Sequence, residues 1–355
     1  MRAARLYNTN DMRILFITQK LKAQDAFGVL WVREFIRQGF EVSVICLESS
    51  DETFEFPVHS LGKENGATRA QSVIQFWKLI THEKYDRVFV HMAPVWYALG
   101  FWWWLVRGIP AYLWYTHYKM QLGVRLFGFF GKRFFCATPQ SLPQYEGSPK
   151  KIVLGHGIDL AFWPKRRNLA MHPHRLLVVH RLSRSKRLEI IIRALALLDA
   201  AYTLDVYGIE AETEYVAEVT KLSSDLGLQS RITFHGSVPM QKLPEIYVRH
   251  RLIMNMASET IDKTMLEAMT CGCYPVTTAA NAEAIGLAPT PTPSPEGRGE
   301  LAAPVSDTPE AVAEFIKTHG EHVPMDADEM YRIVEEHHSL SGLVARMGEY
   351  IRKGV

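Results

Sequence analysis

Two glutamates lie eight positions apart where an apolar run gives way to a helical pattern. Glu259 and Glu267 flank the start of that pattern, and the preceding run at 252–256 predicts a buried strand. A carboxylate at such a junction can accept hydrogen bonds from two sugar hydroxyls. The N–H groups of the first helical turn can bind a phosphate. The segment therefore indicates a ligand that carries both kinds of group, as a nucleotide-sugar does.

A second cluster of chemically useful residues is basic. Arg181 and Lys186 lie five positions apart, after a β-rich run at 176–179 and at a predicted strand-to-helix turn. A guanidinium and an ammonium in that place can hold a diphosphate and stabilise it as it leaves. The alternative interpretation is a solvated basic turn, which is what most charge clusters are.

Together these segments resemble the E-x7-E and G-R-L-x-x-x-K-G elements of glycosyltransferase family 4, the group 1 glycosyltransferases of the GT-B fold. The residues that carry the resemblance are Glu259, Glu267-Ala268-Met269, Cys271-Gly272-x-x-Pro275-Val276 and Arg181-Leu182-x-x-x-Lys186. His180, Arg187 and Asp262 stand where the family has glycine. Two acids at this spacing also occur by chance, and Thr264-x-x-Glu267 fits a helix capping box as well.

The resemblance implies retaining transfer of a sugar from a nucleoside-diphosphate sugar to an acceptor hydroxyl, in cell-surface polysaccharide or glycolipid synthesis. It implies a catalytic set of His117, Glu259, Arg181 and Lys186, and a donor-binding set of Gly28, Arg181, Lys186, Asp262, Lys263, Thr264 and Glu267. In these sets Arg181 and Lys186 hold the diphosphate. Glu267 binds the ribose, Glu259 orients the donor sugar and His117 lines the reaction centre. Asp262 brings a carboxylate near the phosphates, which Lys263 offsets.

The implied chemistry needs neither a cofactor nor a metal, because fixed cations stabilise the leaving group. Asp326-Ala327-Asp328 does match the D-x-D of metal-dependent glycosyltransferases. It precedes a predicted helix rather than ending a strand, so we interpret it as negative charge at a helix N-terminus.

Alternating strand and helix patterns predict an α/β fold, and the resemblance implies GT-B, with two Rossmann-like domains facing each other across a cleft. We expect a disordered extension at 1–11, an acceptor-side domain at 12–160 and a nucleotide-sugar-binding domain at 161–335. A last helix, within 336–355, is expected to cross back to the first domain. Gly28 is predicted in the turn before the first helix. It stands alone there, without the G-x-G-x-x-G of a dinucleotide site.

Two histidines in the N-terminal half end predicted strands. His91 follows an apolar run at 85–90, and His117 follows another at 111–115. Ligands of open α/β sheets gather at the carboxyl ends of the strands, so both positions are chemically exposed. The segment at His117 looks like the family's histidine element beside the transferred sugar. A structural role is the alternative for both, and it is stronger for His91.

Charge and composition limit the classes of molecule that the protein is expected to bind. A net charge of +2 without an extended basic stripe argues against nucleic acid. Cys46, Cys136, Cys271 and Cys273 form no disulfide framework or metal-ligand pattern, which predicts packing residues in a reducing cytoplasm. Basic and polar residues interrupt the first thirty positions, so no secretory signal is expected. The expected partners are a nucleotide-sugar donor and a glycan or glycolipid acceptor.

Three further segments bear on membrane contact and order. The apolar run at 95–106 falls short of the roughly 20 residues that span a bilayer and predicts a buried helix. The segment at 119–135 mixes basic and aromatic residues, and the resemblance allows peripheral contact with the inner face of a membrane there. Interior packing is the favoured interpretation, because the apolar residues are not segregated to one helical face. Alternating prolines at 289–295 predict a mobile insertion across 289–299.

Two other functions are compatible with the same fold. A non-catalytic nucleotide-sugar-binding protein would keep Arg181, Lys186 and Glu267 and could dispense with His117. A GT-B phosphorylase or epimerase is the second, although a phosphorylase would need a lysine for pyridoxal phosphate, for which the sequence has no clear motif. The patterns leave the nucleobase, the sugar and the acceptor open.

Overall fold

The structure, a computed structural model, describes residues 12–22, 27–50, 53–166, 172–258, 262–287 and 306–355. The chain divides into two compact units. Met1–Gly157 and Leu340–Val355 form the first unit, and Ile158–Ser339 forms the second. The sequence-based prediction of an α/β fold is confirmed, because each unit is built on a parallel sheet with helices.

The first unit contains a seven-stranded parallel sheet in the order β3-β2-β1-β4-β5-β6-β7. Its strands are β1 (Met12–Leu21), β2 (Phe40–Ser49), β3 (Val58–Ser60), β4 (Arg87–His91), β5 (Ala111–Trp114), β6 (Arg133–Cys136) and β7 (Lys151–Val153). The α-helices between these strands are α1 (Phe27–Arg37), α2 (Arg69–His82), α3 (Pro94–Arg107) and α4 (Leu122–Phe130). Two buried apolar clusters belong to this unit. Strands packed on both faces read as continuous apolar runs, which is why the sequence revealed them.

The second unit contains a five-stranded parallel sheet in the order β10-β9-β8-β11-β12. Its strands are β8 (Arg175–Val179), β9 (Thr203–Tyr207), β10 (Ile232–Gly236), β11 (Leu252–Asn255) and β12 (Tyr274–Thr277). Its helices are α5 (Leu188–Ala196), α6 (Thr213–Asp225), α7 (Leu243–Tyr247), α8 (Lys263–Thr270), α9 (Ala279–Ala284), α10 (Pro309–His319) and α11 (Ala327–Ile333). One large apolar cluster fills this unit.

The last helix, α12 (Leu340–Lys353), belongs to the first unit, although it follows the second in sequence. Its buried face, which includes Leu343 and Met347, joins the apolar cluster beneath α1. The Asp326 carboxylate caps α11 and accepts a hydrogen bond from the N–H of Glu329 at 2.8 Å. The prediction that this acidic motif is helix-terminal charge is therefore confirmed.

The apolar segments at 95–106 and 119–135 are only partly buried, which corrects the expectation of interior packing. The first segment lies in α3, and the second contains α4 and the buried start of β6; each helix buries one face. On the other face Val106 is 77%, Leu122 69% and Phe129 78% exposed. No helix in the described part of the chain is both long and apolar enough to cross a membrane. All four cysteines are buried free thiols, as predicted.

Candidate functional site

The sheet of the second unit changes direction between β8 and β11. From β8 the chain proceeds outward to β9 and β10, and it then returns to the other side to form β11 and β12. Open α/β sheets bind ligands at the carboxyl ends of the strands beside such a change of direction, so the loops after β8 and β11 are the expected binding position. The basic cluster follows β8, and the segment with the two glutamates follows β11. The topology thus brings the two sequence motifs to one edge.

The loop after β8 presents its two predicted cations differently. Arg181 is exposed, and its guanidinium has no hydrogen bond or ion pair with any of the residues that the structure describes. Lys186 ends a short 3₁₀ turn (Arg184–Lys186) and is buried. Arg181 is therefore available to a ligand, whereas Lys186 is held inside the loop.

Arg187 occupies a position where the resembled pattern has glycine, and its backbone adopts the conformation that glycine would favour. Its φ of 50° lies in the left-handed region, which costs an L-residue roughly 1–2 kcal/mol. The side chain makes structural contacts: Nε donates to the carbonyl oxygen of Met256 at 2.7 Å, and Nη1 donates to Asp307. Arg187 thereby ties the loop after β8 to the end of β11 and to the start of α10.

The loop after β11 leads into α8. Asp262 is the N-cap residue, yet its side chain makes no capping hydrogen bond. Thr264 lies inside the first turn of α8 and not at its cap, so the capping-box interpretation of Thr264 and Glu267 is wrong. The first N–H groups of α8, around Lys263, have no acceptor within the helix, as at any helix N-terminus. They can therefore donate hydrogen bonds to an anion.

An ion pair joins the two loops. The Nζ atom of Lys186 lies 2.5 Å from Oδ1 of Asp262, although the residues are 76 positions apart. The second carboxylate oxygen of Asp262 accepts a hydrogen bond from Nδ2 of Asn255 at 2.7 Å. Asn255 is fully buried at the end of β11, and its own Oδ1 accepts from the N–H of Ala257 at 3.0 Å. We did not single out Asn255 from the sequence; an amide that ends an otherwise apolar strand was the available signal.

Glu267 and Lys263 lie one helical turn apart on α8, and each shifts the pKa of the other. Burial raises the pKa of the Glu267 carboxyl, and the Lys263 charge partly opposes that rise. Burial lowers the pKa of the Lys263 ammonium, and the Glu267 charge partly opposes that fall. A buried carboxylate with raised pKa is poorly solvated, so it gains from hydroxyl donors supplied by a ligand. Perturbed groups of this kind cluster at functional sites.

The predicted residues of the first unit also share one sheet edge. The sheet changes direction between β1 and β4; Gly28 follows β1, and His91 is the last residue of β4. Gly28 lies in the first turn of α1, not in a turn before the helix as expected, and a Cβ there would stand 3.2 Å from Leu21 Cδ1. His91 is buried beside Trp31, at 5.1 Å between ring centroids. His117 is exposed, three residues beyond β5.

Three predictions fall on residues that the structure does not describe. Glu259 lies in 259–261, and the proline-rich segment lies in 288–305. The expected extension at 1–11 is also outside the described ranges. The roles proposed for these segments remain predictions from the sequence.

Comparison with known proteins finds a matching family model and solved structures of similar fold. Residues 161–284 match a family model described as glycosyl transferases group 1. None of the curated proteins compared with the chain matches its sequence. Solved structures match over almost the whole chain at low identity, so they establish the fold alone.

Three of these structures illustrate the likeness. HepE from Anabaena, solved with UDP and glucose, is 19% identical with a TM-score of 0.72, and 96% of this chain and 99% of HepE are covered. A sucrose-phosphate synthase from Thermosynechococcus elongatus is 15% identical with a TM-score of 0.72, covering 96% and 98%. WaaG, a glycosyltransferase involved in lipopolysaccharide biosynthesis, is 15% identical with a TM-score of 0.63, covering 95% and 99%. The predicted GT-B fold and the resemblance to group 1 glycosyltransferases are thus confirmed.

Proposed function

We propose that this protein is a retaining glycosyltransferase that moves a sugar from a nucleoside-diphosphate sugar to an acceptor hydroxyl. The observation that supports the proposal most strongly is the sheet edge between β8 and β11. Two basic residues, the buried Glu267 carboxylate and the N-terminus of α8 lie there, within the segment that matches the group 1 family model. A nucleotide-sugar presents a diphosphate and ribose hydroxyls, and this edge offers cations and helix N–H groups for the first and the Glu267 carboxylate for the second.

Each residue in the proposal has a chemical task. Arg181 and Lys186 bind the diphosphate and stabilise the negative charge that grows on it as the sugar–phosphate bond breaks. The backbone amides around Lys263 and Thr264 add donors for the same anion, and Gly28 keeps a backbone approach open in the first unit. Glu267 accepts the ribose hydroxyls.

The remaining tasks concern the transferred sugar. Glu259 orients it, and His117 contributes the side chain that lines the reaction centre. Since fixed cations offset the leaving-group charge, the proposed mechanism is independent of metal ions. HepE was solved with UDP and glucose, which makes UDP-hexoses the first donors to test. WaaG acts in lipopolysaccharide synthesis, which supports a glycan or glycolipid acceptor at the cell surface.

Turnover in the presence of a chelator tests the proposal. Incubation with a panel of UDP-, GDP- and ADP-sugars in water should release sugar slowly from one of them, and EDTA should leave the rate unchanged. Arg181→Ala should lower that rate by roughly 100-fold or more, because it removes a charge that acts on the developing anion. Arg181 is exposed and has no side-chain partner among the described residues, so this substitution should leave the fold intact.

The other outcomes separate the competing functions. Loss of activity with EDTA and its recovery with manganese or magnesium would show a metal-dependent mechanism. Donor binding without sugar release would favour the non-catalytic nucleotide-sugar-binding protein. Sugar release that persists unchanged in Arg181→Ala would come from another site or from a contaminant.

We also propose that the protein works from the cytoplasm at the inner face of a membrane, through the exposed surface of α3 and α4. Between Asp86 and Glu146 the sequence contains six lysines or arginines and no acidic residue. Leu122, Arg125 and Phe129 share one face of α4, and Val106 is exposed on α3. Aromatic and aliphatic side chains beside cations that no acidic residue of the same segment offsets are suited to an anionic bilayer surface.

A vesicle-binding measurement tests this surface. The protein should co-sediment with vesicles of phosphatidylcholine and about 30% phosphatidylglycerol, and binding should weaken with salt because the attraction is screened. Phe129→Asp should weaken binding about tenfold or more, since an inserted ring is lost and a negative charge is added. Ile209→Asp, at an exposed apolar residue of the second unit, is the matched control and should bind as wild type does. Equal binding by the two variants, or no binding to these vesicles, would exclude this membrane surface.

A further inference from the structure

The cation predicted to hold the diphosphate already holds an anion of the protein itself. The Lys186 side chain is only 6% exposed, and its ammonium lies 2.5 Å from Oδ1 of Asp262. In the described ranges no other carboxylate is within ion-pair distance of this ammonium. Nδ2 of Asn255 donates a hydrogen bond to the second oxygen of Asp262 at 2.7 Å. Both carboxylate oxygens are therefore held, as two oxygens of a bound phosphate would be.

The carboxylate of Asp262 is directed at Lys186 instead of at its own helix. An aspartate at an N-cap ordinarily accepts a hydrogen bond from the second or third N–H of the helix. Asp262 makes no such bond, although its backbone is extended, as an N-cap requires. Its side chain therefore serves the lysine of the other loop and leaves the first N–H groups of α8 without this internal acceptor.

His180, which also stands where the resembled pattern has glycine, adjoins the same pair. Its Nδ1 donates to the carbonyl oxygen of Arg181 at 2.9 Å, so Nε2 carries the lone pair. Nε2 is buried without a hydrogen-bond partner among the described residues. Burial lowers the pKa of His180, while the Asp262 charge opposes this fall and the Lys186 charge adds to it. A neutral ring contributes no positive charge, so among the described residues Asp262 is the group that cancels the charge of Lys186.

We propose that Asp262 is an internal competitor for the diphosphate, one that occupies Lys186 until the donor displaces it. The inference rests on the proposed function, because it assumes that a nucleoside diphosphate binds at this edge. A diphosphate that reaches Lys186 must break an ion pair and then lie close to the released carboxylate. Asp262 therefore lowers the affinity of the site for every diphosphate, whichever nucleoside carries it. It determines how strongly the leaving group is retained after transfer.

Calorimetric titration with UDP, GDP and ADP, and with the corresponding free nucleosides, tests the role of Asp262. Asp262→Asn keeps the shape of the side chain and removes its charge. We expect it to bind the preferred nucleoside diphosphate roughly tenfold more tightly than wild type, because a nearby like charge is gone. Affinity for the free nucleoside should not change, since a nucleoside does not reach Lys186.

Asp326→Asn is the matched control, because Asp326 is also an N-cap aspartate of the second unit but caps its own helix. It should bind all ligands as wild type does. Asp262→Gly is a second variant that keeps a favourable N-cap residue and should show the same gain as Asp262→Asn. Unchanged or weaker diphosphate binding by both Asp262 variants, with melting temperatures that show them folded, overturns the inference while the proposed function stands. Failure of wild type and variants alike to bind any of the three diphosphates overturns both.

Discussion

Asp205→Ala is expected to lower the free energy of unfolding by about 3 kcal/mol. Asp205 is buried in β9 and accepts hydrogen bonds from Arg175 Nε at 2.5 Å, His235 Nε2 at 2.6 Å and His250 Nε2 at 3.0 Å. Removal of one partner from a buried charge network costs about 3–5 kcal/mol. The lower end applies here, because the side chains of Arg175 and His235 are partly exposed and regain water. Denaturation by urea at pH 7 measures the loss.

The lowered pKa of Asp205 predicts how the stability difference between wild type and Asp205→Ala changes with pH. Burial alone would raise that pKa, but the hydrogen bonds from His250, Arg175 and His235 outweigh it and hold the pKa well below its usual range. A carboxyl whose pKa is lowered by folding stabilises the protein above its unfolded pKa of about 4. The stabilisation is lost as the pH falls through the folded value. The difference between wild type and Asp205→Ala should therefore shrink as the pH is lowered from about 5 towards 3.

An exposed ion pair of the same unit provides the control. Asp225 pairs with Lys221 one turn away on α6, and both side chains are largely exposed. Exposed pairs of this kind contribute about 0.3–0.5 kcal/mol, so Asp225→Ala should change the free energy of unfolding very little. Equal losses in the two variants would contradict a stabilising network around Asp205.

The strands and helices that position the candidate site were predictable from local patterns. β8 and β11 are short apolar runs, as parallel strands covered on both faces must be. The run of helix formers from Lys263 to Thr270 and the glycine that follows predicted α8. Since parallel strands end at a common edge, the motifs after β8 and β11 had to come together. The sequence therefore placed Arg181, Lys186 and Glu267 at one edge without any knowledge of their contacts.

The ion pair between Lys186 and Asp262 was not predictable. The sequence suggested Lys263 as the residue that offsets Asp262, because it is adjacent. Adjacent residues at a helix start do not face each other, and the carboxylate instead reaches the lysine of the neighbouring loop. Which way a side chain turns at a loop depends on packing between segments that are distant in sequence. Local patterns carry no information about such packing.

The exposed face of α3 and α4 shows a second limit of prediction from the sequence. A run such as Val95 to Val106 contains no polar residue, so its periodicity does not reveal which face is covered. The apolar composition of the run favoured a fully buried helix. The structure buries Trp96 and Trp104 but leaves Trp102 and Val106 exposed. The absence of acidic residues between Asp86 and Glu146 was the more informative signal, because it is unusual for a helix face turned to water.

Glu267→Ala is expected to weaken binding of the free nucleoside diphosphate by about 10- to 150-fold. In the proposed complex the Glu267 carboxylate accepts both ribose hydroxyls, and the loss of such charge-assisted hydrogen bonds costs about 1.5–3 kcal/mol. The residue is well placed for this task, since it is 8% exposed in the second turn of α8 and burial has already removed most of its water. A group that has lost its water before the ligand arrives gains more from the ligand's hydroxyls.

Glu259→Ala should behave differently, because Glu259 is assigned to the transferred sugar. Its substitution should leave the affinity for the free nucleoside diphosphate nearly unchanged and lower turnover instead. Calorimetric titration of both variants with the diphosphate, alongside single-turnover rates with the donor, measures the two effects. Glu283→Ala removes an exposed carboxylate from α9 and should alter neither quantity. A purely structural Glu267 would lower the melting temperature and spare the nucleotide, so equal affinities for wild type and Glu267→Ala would exclude the ribose role.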